Sequence, residues 1–476
     1  MPAAPIRTIN PVNKRPSLKI LLVSTYELGH PPVGLASPAA CLRREGHQVT
    51  CADCAVEDFP EAAAASADLV GFYLPMHTAT RLALPLLRRT RQRNPRAHIC
   101  AYGLYAPLNA GLLRREGVDT VIGGEFEEPL AALCRRLSGD GGNGRKAAAS
   151  PFPSLMVNLS KQRFPIPDRR DMPPLSRYAK LCCRGNTPKL VGYVEATRGC
   201  KHTCRHCPIV PVYGGRFRVI QREVVLADIR QQVEAGAQHI TFGDPDFFNG
   251  PGHGLAIVRE MHREFPRLTY DVTIKIEHLL RHRRHLPELN QTGCVLITSA
   301  VESIDDEVLA RLQKGHTRRD FLRTLRLLDR EGLVLNPTFI PFTPWTTPES
   351  YRRLLRLLAE WDLVEQVAPI QLAIRLLIPR GSLLLELPEI GNLVGEFDEE
   401  GLCYPWRHPL PEMDALQRRV MDIVRKGEAA GLSRSAIMGE IWKCAGEISG
   451  KTEPLPEPRY RRSRAEIPYL NEPWYC

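Results

Sequence analysis

The sequence predicts an α/β protein with two successive parallel sheets: a doubly wound sheet, then a partial (β/α)6 TIM-type barrel followed by a short helical C-terminal region. Three observations predict this fold. Short apolar runs alternate with helical patterns from Leu18 to Leu137. A glycine-rich linker over 138–151 then interrupts the alternation. From Leu190 the alternation resumes, now with cysteine, aspartate or glutamate after the apolar runs.

The first sheet is predicted from short apolar runs of the kind that form buried parallel strands. A helical pattern follows the first run over 36–45, and another follows the last run over 127–137. Sequential strands joined by helices of this kind form one doubly wound sheet. The five predicted strands cover 18–23, 46–51, 68–74, 98–102 and 120–124.

The second sheet is predicted from six further apolar runs, which indicate an incomplete barrel with its site at the carboxyl ends of the strands. Thr-Thr-Pro-Glu over 346–349 is expected to cap the helix after the fifth strand. Two more helices are expected over 413–430 and 433–445. The six predicted strands cover 190–194, 238–242, 270–277, 295–303, 335–341 and 370–379.

These patterns divide the chain into five parts. A proline-containing arm comes first, and a proline-rich extended segment after the linker is expected to join the two sheets. The parts are the arm 1–16, the Rossmann-type domain 17–138, the linker and extended segment 139–185, the barrel core 186–409, and the helical region with its cysteine-ending tail 410–476.

Composition indicates a soluble, cytoplasmic protein. Of the 476 residues, 43% are hydrophobic and 25% charged, no run approaches the ~20 apolar residues of a membrane span, and the start lacks the apolar core of a signal peptide. Fourteen cysteines without such a leader favour metal or redox chemistry over disulfides. The net charge of +11 is attributed to solvated arginines, because no aromatic-interleaved basic motif indicates a nucleic-acid partner.

Cys200, Cys204 and Cys207 stand at spacing C-x3-C-x2-C directly after the first strand of the barrel. A [4Fe-4S] cluster is held by thiolates, and three ligands on one loop leave one iron open for a substrate or cofactor. A structural zinc site requires four protein ligands, usually supplied as two separate C-x2-C pairs, and the barrel core has no second pair of this kind. The spacing therefore predicts an iron-sulfur cluster, with three unrelated thiols as the plainer alternative.

The loop over 195–208 resembles that of the radical S-adenosylmethionine (radical SAM) enzymes, and the resemblance extends from Thr187 to Pro409. It implies that the open iron chelates the amino and carboxylate groups of SAM and that a flavodoxin or ferredoxin supplies an electron. His206 takes the position that packs near the adenine. The resemblance implies further SAM contacts at the strand ends: Gly243, Asp244, Asp246, Glu302, Ser303 and Pro341.

The first sheet resembles the cobalamin-binding domain that precedes many radical SAM cores. The landmarks are its topology, the strand-end glycine Gly103, and Gly-Gly-Glu over 123–125. The usual Asp-x-His-x-x-Gly motif after the first strand is missing. His30 is the only histidine in that loop and is expected to be solvated rather than to bind cobalt. The sequence thus leaves cobalamin open.

The chain ends on Cys476 after two aromatic residues. This end resembles the tail of a radical SAM subgroup, Cys-Sec-Ala-Glu-Pro or Cys-Cys-Ala-Glu-Pro, as it would appear if translation stopped after the first cysteine. The chain is therefore a selenoprotein candidate. The subgroup includes the enzyme that begins arsinothricin synthesis, which implies arsenite as a small-molecule substrate held by soft thiolates. The candidate substrate-holding thiols are Cys476, Cys182, Cys183 and Cys294; a mobile tail and packed thiols are the plainer alternatives.

The resemblance therefore predicts a transferase that cleaves SAM at the cluster and passes its 3-amino-3-carboxypropyl group to arsenite. The alternative is a cobalamin-dependent methyltransferase acting on an unactivated carbon or phosphorus. A metal or redox sensor is a third hypothesis, but a sensor has no need of the ordered SAM-contact motifs. A tRNA-modifying enzyme is disfavoured because no separate RNA-binding module is visible.

Overall fold

The computed structural model contains two parallel sheets whose carboxyl edges face each other. It describes residues 16–139, 153–183, 187–451, 453–458 and 467–472. Within those ranges no helix is both long enough and apolar enough to cross a membrane.

Six parallel strands form the first sheet in the order β2-β1-β3-β4-β5-β6, and the five predicted strands are confirmed. The sixth comes from the proline-rich segment that was predicted to be extended. Its run Leu-Met-Val-Asn pairs with β5 and forms the edge of the sheet, where alternate side chains remain exposed. The strands are β1 Lys19–Ser24, β2 Gln48–Asp53, β3 Leu69–Tyr73, β4 His98–Tyr102, β5 Thr120–Gly124 and β6 Leu155–Asn158.

Five helices cover the two faces of this sheet. The last one has two glutamates in its first turn and two arginines in its last turn, which complements the helix dipole. Its predicted bounds are confirmed, and the predicted first helix begins three residues earlier than expected. The helices are α1 Val33–Arg44, α2 Glu61–Ser66, α3 His77–Arg93, α4 Ala110–Arg115 and α5 Glu127–Leu137.

The second sheet has the order β14-β13-β12-β11-β8-β7-β15, with β8 and β11–β14 parallel and the last two strands antiparallel. A small antiparallel ladder of β9 and β10 stands apart from it. The strands are β7 Lys180–Cys182, β8 Lys189–Val194, β9 Thr197–Gly199, β10 Phe217–Val219, β11 His239–Phe242, β12 Thr269–Thr273, β13 Cys294–Glu302, β14 Leu335–Phe339 and β15 Tyr469–Leu470.

The sixth barrel strand predicted over 370–379 is wrong. Pro369–Leu372 forms a 3-10 turn, and the rest contributes one isolated bridge between Phe342 and Arg375. Pro369 and Pro379 flank the segment, and proline has no N–H to donate to a sheet. The barrel is therefore open beyond β14 on one side and bounded by the antiparallel strands β7 and β15 on the other.

Helices follow the strands of the core as predicted. Thr347 accepts a hydrogen bond from the N–H of Ser350 in a capping box, with Pro348 in the first turn, so the expected cap is confirmed. The helices are α6 Val210–Tyr213, α7 Arg222–Glu234, α8 Pro251–Glu264, α9 Ile276–Arg281, α10 Leu286–Gln291, α11 Asp306–Arg311, α12 Arg318–Arg330, α13 Pro348–Glu360, α14 Pro388–Gly391, α15 Pro411–Ala429 and α16 Arg434–Ser449.

The two C-terminal helices, α15 and α16, pack against each other and against α13 through the same hydrophobic core as the barrel. Ser433 caps α16 by accepting a hydrogen bond from the N–H of Ala436. Beyond α16 the chain returns to the barrel, where β15 pairs with β7 in the register Tyr469–Cys182. The end of the described chain thus lies beside the barrel.

Candidate active site

The cysteine loop lies between β9 and β10, which pair as an antiparallel ladder. Gly199 ends β9 with φ +75°, and a Cβ there would lie 2.3 Å from the ring of Tyr213. A side chain has no room at this turn, and glycine adopts the conformation without strain. The ladder therefore fixes the start of the loop.

The three thiols of the loop lie close together and largely out of solvent. Cys200 and Cys204 are buried, and the N–H of Cys207 donates to the carbonyl of Cys204 at 3.1 Å. Burial, with the neighbouring thiols, raises the pKa of Cys207 to about 12. Three thiolates this close need a cation beside them, and the irons of a [4Fe-4S] cluster supply that charge. The donor set therefore fits the predicted cluster.

Side chains from the turn after β11 and from α9 contact the cysteine loop and support it. Asn249 Oδ1 accepts from the N–H of Lys201 at 3.3 Å. His202 Nε2 lies 3.1 Å from His278 Nε2, and His278 Nδ1 lies 2.7 Å from Asp246 Oδ2. His278 and Asp246 are fully buried, so this chain of polar groups anchors the loop in the core.

The carboxylate at the end of β13 is held by a histidine and a lysine. Glu302 Oε1 lies 3.1 Å from His206 Nε2 and 3.2 Å from Lys314 Nζ. Burial would raise the pKa of Glu302, but Lys314 and the hydrogen bond with His206 lower it to about 2. Its φ of +65° is a strained conformation for a residue with a side chain, and such strain concentrates at functional sites.

Ser303 and Pro341, also predicted to contact SAM, lie at neighbouring strand ends. The Ser303 hydroxyl accepts from the N–H of Asp305, and the Pro341 carbonyl accepts from the hydroxyl of Thr346. The N–H of Ile340 donates to the carbonyl of Glu302, which joins the two strand ends. The structure therefore places these residues on the same edge as Glu302.

The turn after β11 separates the two predicted aspartates. Asp244 accepts from the N–H of Ala196 at 2.9 Å and from the hydroxyl of Thr197 at 2.6 Å, and burial raises its pKa to about 7. Asp246 instead caps a turn and supports His278. Gly243 is held against Tyr193, whose hydroxyl would lie 2.1 Å from an added Cβ. Of the two acids, Asp244 is the one that faces the interior of the barrel.

A cavity of about 280 Å³ occupies this interior, and we call it the barrel cavity. The first domain contributes Glu27 and His30 to its wall, and the described end of the chain contributes Tyr469 and Glu472. Glu27 is buried, and its Oε2 has no hydrogen-bond partner among the described residues. No described cysteine lines the cavity. Further polar lining comes from Thr241, Asp244, Asp271, Thr298, Asn336, Gln371 and Arg434.

Of the three predicted substrate-holding thiols that the structure describes, Cys294 lies apart from Cys182 and Cys183. Cys182 lies opposite Tyr469 in the β7–β15 pair, and Cys183 follows it. Cys294 is fully buried at the amino end of β13, opposite to the predicted active-site edge, and burial raises the pKa of its thiol. Cys476 lies outside the described residues.

The prediction that His30 is solvated is wrong. The ring is buried, stacks on Tyr193 with centroids 4.9 Å apart, and lies 2.9 Å from Glu472 through Nε2. Its partner is 442 residues away along the chain, so no local pattern could have revealed this contact. Glu27, Lys314 and His278 were also missed, because single charged residues at strand or helix ends carry no spacing signal.

Comparison with known proteins identifies both halves of the chain. Residues 194–358 match the Radical SAM superfamily, and residues 19–134 match the B12 binding domain. The chain therefore contains a radical SAM domain with a B12-binding-type domain in front of it, and the radical SAM domain implies a [4Fe-4S] cluster and SAM as cofactors.

Two methyltransferases are similar in sequence. The hopanoid C-3 methylase of Methylococcus capsulatus is 27% identical over 64% of this chain and 61% of its own length. An uncharacterised methyltransferase of Pyrococcus horikoshii is 24% identical over 70% of this chain and 74% of its own. The matched region thus spans about three-fifths of the hopanoid enzyme.

Two solved structures share the fold. The radical SAM methyltransferase TsrM from Kitasatospora setae, with tryptophan and a SAM analogue bound, has a TM-score of 0.63 at 17% identity and covers 84% of this chain and 89% of its own. The cobalamin-dependent radical SAM enzyme OxsB, with aqua-cobalamin and SAM bound, has a TM-score of 0.67 at 14% identity and covers 86% and 67%. The predicted two-sheet architecture is thereby confirmed.

Proposed function

We propose that this enzyme transfers a carbon group of SAM to a small polar acceptor held in the barrel cavity. The observation that carries the proposal is the position of the cavity. Its wall includes Gly243 and Asp244, and Asp244 also holds Ala196 and Thr197 directly before the cysteine loop. An acceptor in this cavity would lie inside the barrel, at the edge where the SAM-contact residues meet.

The residues have distinct roles in this proposal. A cluster on Cys200, Cys204 and Cys207, with SAM on its open iron, supplies an electron and a cleavable C–S bond. Asp244 would accept hydrogen bonds from the ammonium group of SAM, and Glu302 from its ribose hydroxyls. Since Lys314 and His206 already hold Glu302 ionised and in place, the site is preorganised for that contact.

The size and charge of the cavity define the class of acceptor. Pockets for drug-sized ligands measure ~300–1,000 Å³, so about 280 Å³ suits a smaller molecule and excludes the polycyclic skeleton of a hopanoid from full enclosure. The lining has more acidic side chains than cations, and Oε2 of Glu27 has no hydrogen-bond partner among the described residues. A small acceptor with an amino group satisfies that oxygen.

Methyl is the transferred group that the two relatives named above support, because one is a methylase and the other a methyltransferase by name. The test uses anaerobically reconstituted enzyme, dithionite, SAM and a panel of small amines, with products read by mass spectrometry. The expected result is S-adenosylhomocysteine together with a methylated amine: the amine nitrogen forms the new N–C bond as the S–CH3 bond of SAM breaks, S-adenosylhomocysteine leaves, the amine loses one proton, and no net electron is consumed. SAM products that stay the same with and without every acceptor would contradict group transfer into this cavity.

Glu27→Gln is expected to raise the KM of an amino acceptor by about 10- to 100-fold. A hydrogen bond to a charged group contributes ~1.5–3 kcal/mol, and every 1.4 kcal/mol is tenfold. Reductive SAM cleavage without acceptor should stay unchanged, because Glu27 lies outside the cysteine loop. The matched control is Glu128→Gln on the exposed side of α5, which should alter neither quantity. Equal KM values for the two variants would remove Glu27 from the acceptor site.

A second candidate is transfer of the 3-amino-3-carboxypropyl group to arsenite, and the position of the tail favours it. The segment 467–472 lines the barrel cavity, and Glu472 stands four residues before Cys476. Cys182 lies beside the same segment. Thiolates, or the selenolate of a longer tail, are suited to a soft acceptor such as trivalent arsenic. Cleavage at the Cγ–S bond of SAM would then leave methylthioadenosine.

Cys476→Ser and Cys182→Ser are each expected to abolish any product that depends on arsenite, because hydroxyls bind trivalent arsenic far less well than thiolates. Methylthioadenosine and a carbon–arsenic product are measured by mass spectrometry with and without arsenite. Cys294→Ser is the matched control and should keep the product. If neither compound forms with the unaltered chain, arsenite is not the acceptor.

A further inference from the structure

The first domain has the topology of a doubly wound sheet that binds a ligand at its carboxyl edge. In such sheets the binding crevice opens where the strand order reverses. Here the order β2-β1-β3 places the reversal between β1 and β3. A corrinoid bound by this domain would need the space between the loop after β1 and the loop after β3.

Aromatic side chains fill that space. Tyr73 ends β3, and its ring lies where a side chain on Gly34 would begin, since a Cβ on Gly34 would be 2.2 Å from Tyr73 Cζ. Tyr102, at the end of β4, donates its hydroxyl to the carbonyl of Gly34 at 2.9 Å. Phe126 packs on both rings, with centroids 5.7 Å from Tyr73 and 5.1 Å from Tyr102. All three rings are almost completely buried.

The loops beside the crevice are also held in place by hydrogen bonds. Thr25, directly after β1, donates its hydroxyl to the carbonyl of Ala79 in α3 at 2.7 Å, which closes the gap between the two loops. On the other side of β1, Tyr178 donates to Asp53 Oδ2 at the end of β2 at 3.0 Å. The crevice is therefore closed by hydrogen bonds as well as by rings.

The interface with the barrel leaves little more room. The barrel cavity, which residues of both domains line, measures about 280 Å³. This is below the ~300–1,000 Å³ of pockets for drug-sized ligands, and a corrinoid is much larger than such ligands. His30, in the loop after β1, already contacts Glu472 and Tyr193. The residues of this edge thus do not fit a corrinoid, although the domain matches the B12 binding domain.

We propose that the first domain of this chain binds no corrinoid and instead forms one wall of the acceptor cavity. The loop after β1 contributes Glu27 and His30 to that wall, on the face where a corrinoid would otherwise stand. The inference deepens the proposed function, since the group that SAM supplies then reaches the acceptor without a corrinoid carrier. Its binding test does not depend on any turnover.

The test is retention of corrinoid by the full chain. Reconstituted protein is incubated with excess hydroxocobalamin or methylcobalamin, passed through a desalting column and examined by absorbance, with OxsB treated in parallel because its structure holds aqua-cobalamin. The expected result is no corrinoid on this chain and clear retention by OxsB. About one corrinoid retained per chain would overturn the proposal.

Thermal unfolding gives a second readout. A ligand that binds the folded state at ~100 times its Kd stabilises a protein measurably and raises its Tm. The Tm of this chain is expected to be the same with and without methylcobalamin, whereas SAM should raise it in the cluster-loaded protein. A Tm increase with methylcobalamin contradicts the inference. The proposed group transfer is tested independently: it would be contradicted if no acceptor changed the products formed from SAM.

Discussion

Cys204→Ser is expected to abolish both the iron-sulfur cluster and the reductive cleavage of SAM. A serine hydroxyl does not replace a thiolate on iron, and the three cysteines are the full ligand set that the loop offers. Cys204 is buried, and its Sγ lies 3.7 Å from the ammonium of Lys275. The loss is measured as iron and sulfide per chain and as the yield of SAM cleavage products under dithionite.

Cys403→Ser is the matched control for this variant. Its thiol is half-buried, lies in the bridge between Asp398 and Cys403, and is not one of the three cysteines of the loop. The control should keep its iron and its cleavage yield. A Cys204→Ser protein that retained four irons and normal cleavage would contradict the assignment of the loop. A parallel loss in both variants would instead point to a general sensitivity to cysteine substitution.

The fold was predictable wherever a local pattern specifies the element. Five strands of the first sheet and five of the second follow from apolar runs with helices between them. Prediction failed at 370–379, where flanking prolines outweigh a strongly apolar run. The segment 155–158 was predicted to be extended, but its pairing with β5 was not foreseen. The antiparallel β15 depends on a partner nearly three hundred residues away, and no local pattern reports such pairing.

The active-site residues were likewise predictable only where a local sequence pattern identifies them. The cysteines carry a spacing that has a chemical reason, so Cys200, Cys204 and Cys207 could be named from the sequence. For the acidic turn the sequence offered Asp244 and Asp246 equally. The structure distinguishes them through their partners, Thr197 for the first and His278 for the second. Side chains acquire such roles through contacts between distant elements, and those contacts are not encoded in spacing.

The strongest example of such a contact joins the two domains. Arg198, within the ladder beside the cysteine loop, is buried and lies 2.6 Å from Glu195, 2.8 Å from Glu127 and 3.5 Å from Glu125. Its guanidinium also lies 4.6 Å from the centre of the Phe126 ring. One cation thus neutralises carboxylates from both domains, and the same residue positions β9, from which the cysteine loop begins.

Arg198→Met is expected to lower the free energy of unfolding by about 3–5 kcal/mol, because it leaves buried carboxylates without their cation. The measurement is denaturant unfolding of the full chain. Arg230→Met is the matched control, since Arg230 pairs with Glu264 on the exposed face of the barrel. Such surface pairs contribute less than about 1 kcal/mol. Comparable losses in both variants would mean that the interdomain cluster is not especially stabilising.

The pH dependence distinguishes lost charge from lost packing in Arg198→Met. Burial already raises the pKa of Glu125 to about 7, and Arg198 is the cation that lowers it, so removal of Arg198 raises this pKa further. A carboxyl with a higher pKa in the folded than in the unfolded chain takes up its proton on folding, which stabilises the folded state as pH falls toward the unfolded pKa. In the unaltered chain Glu125 takes up its proton near pH 7, and in the variant it does so at a higher pH, so the deficit of the variant should shrink as the pH falls from ~9 to ~7. A deficit that stays constant over this window would show that Arg198 acts through packing against Phe126 alone.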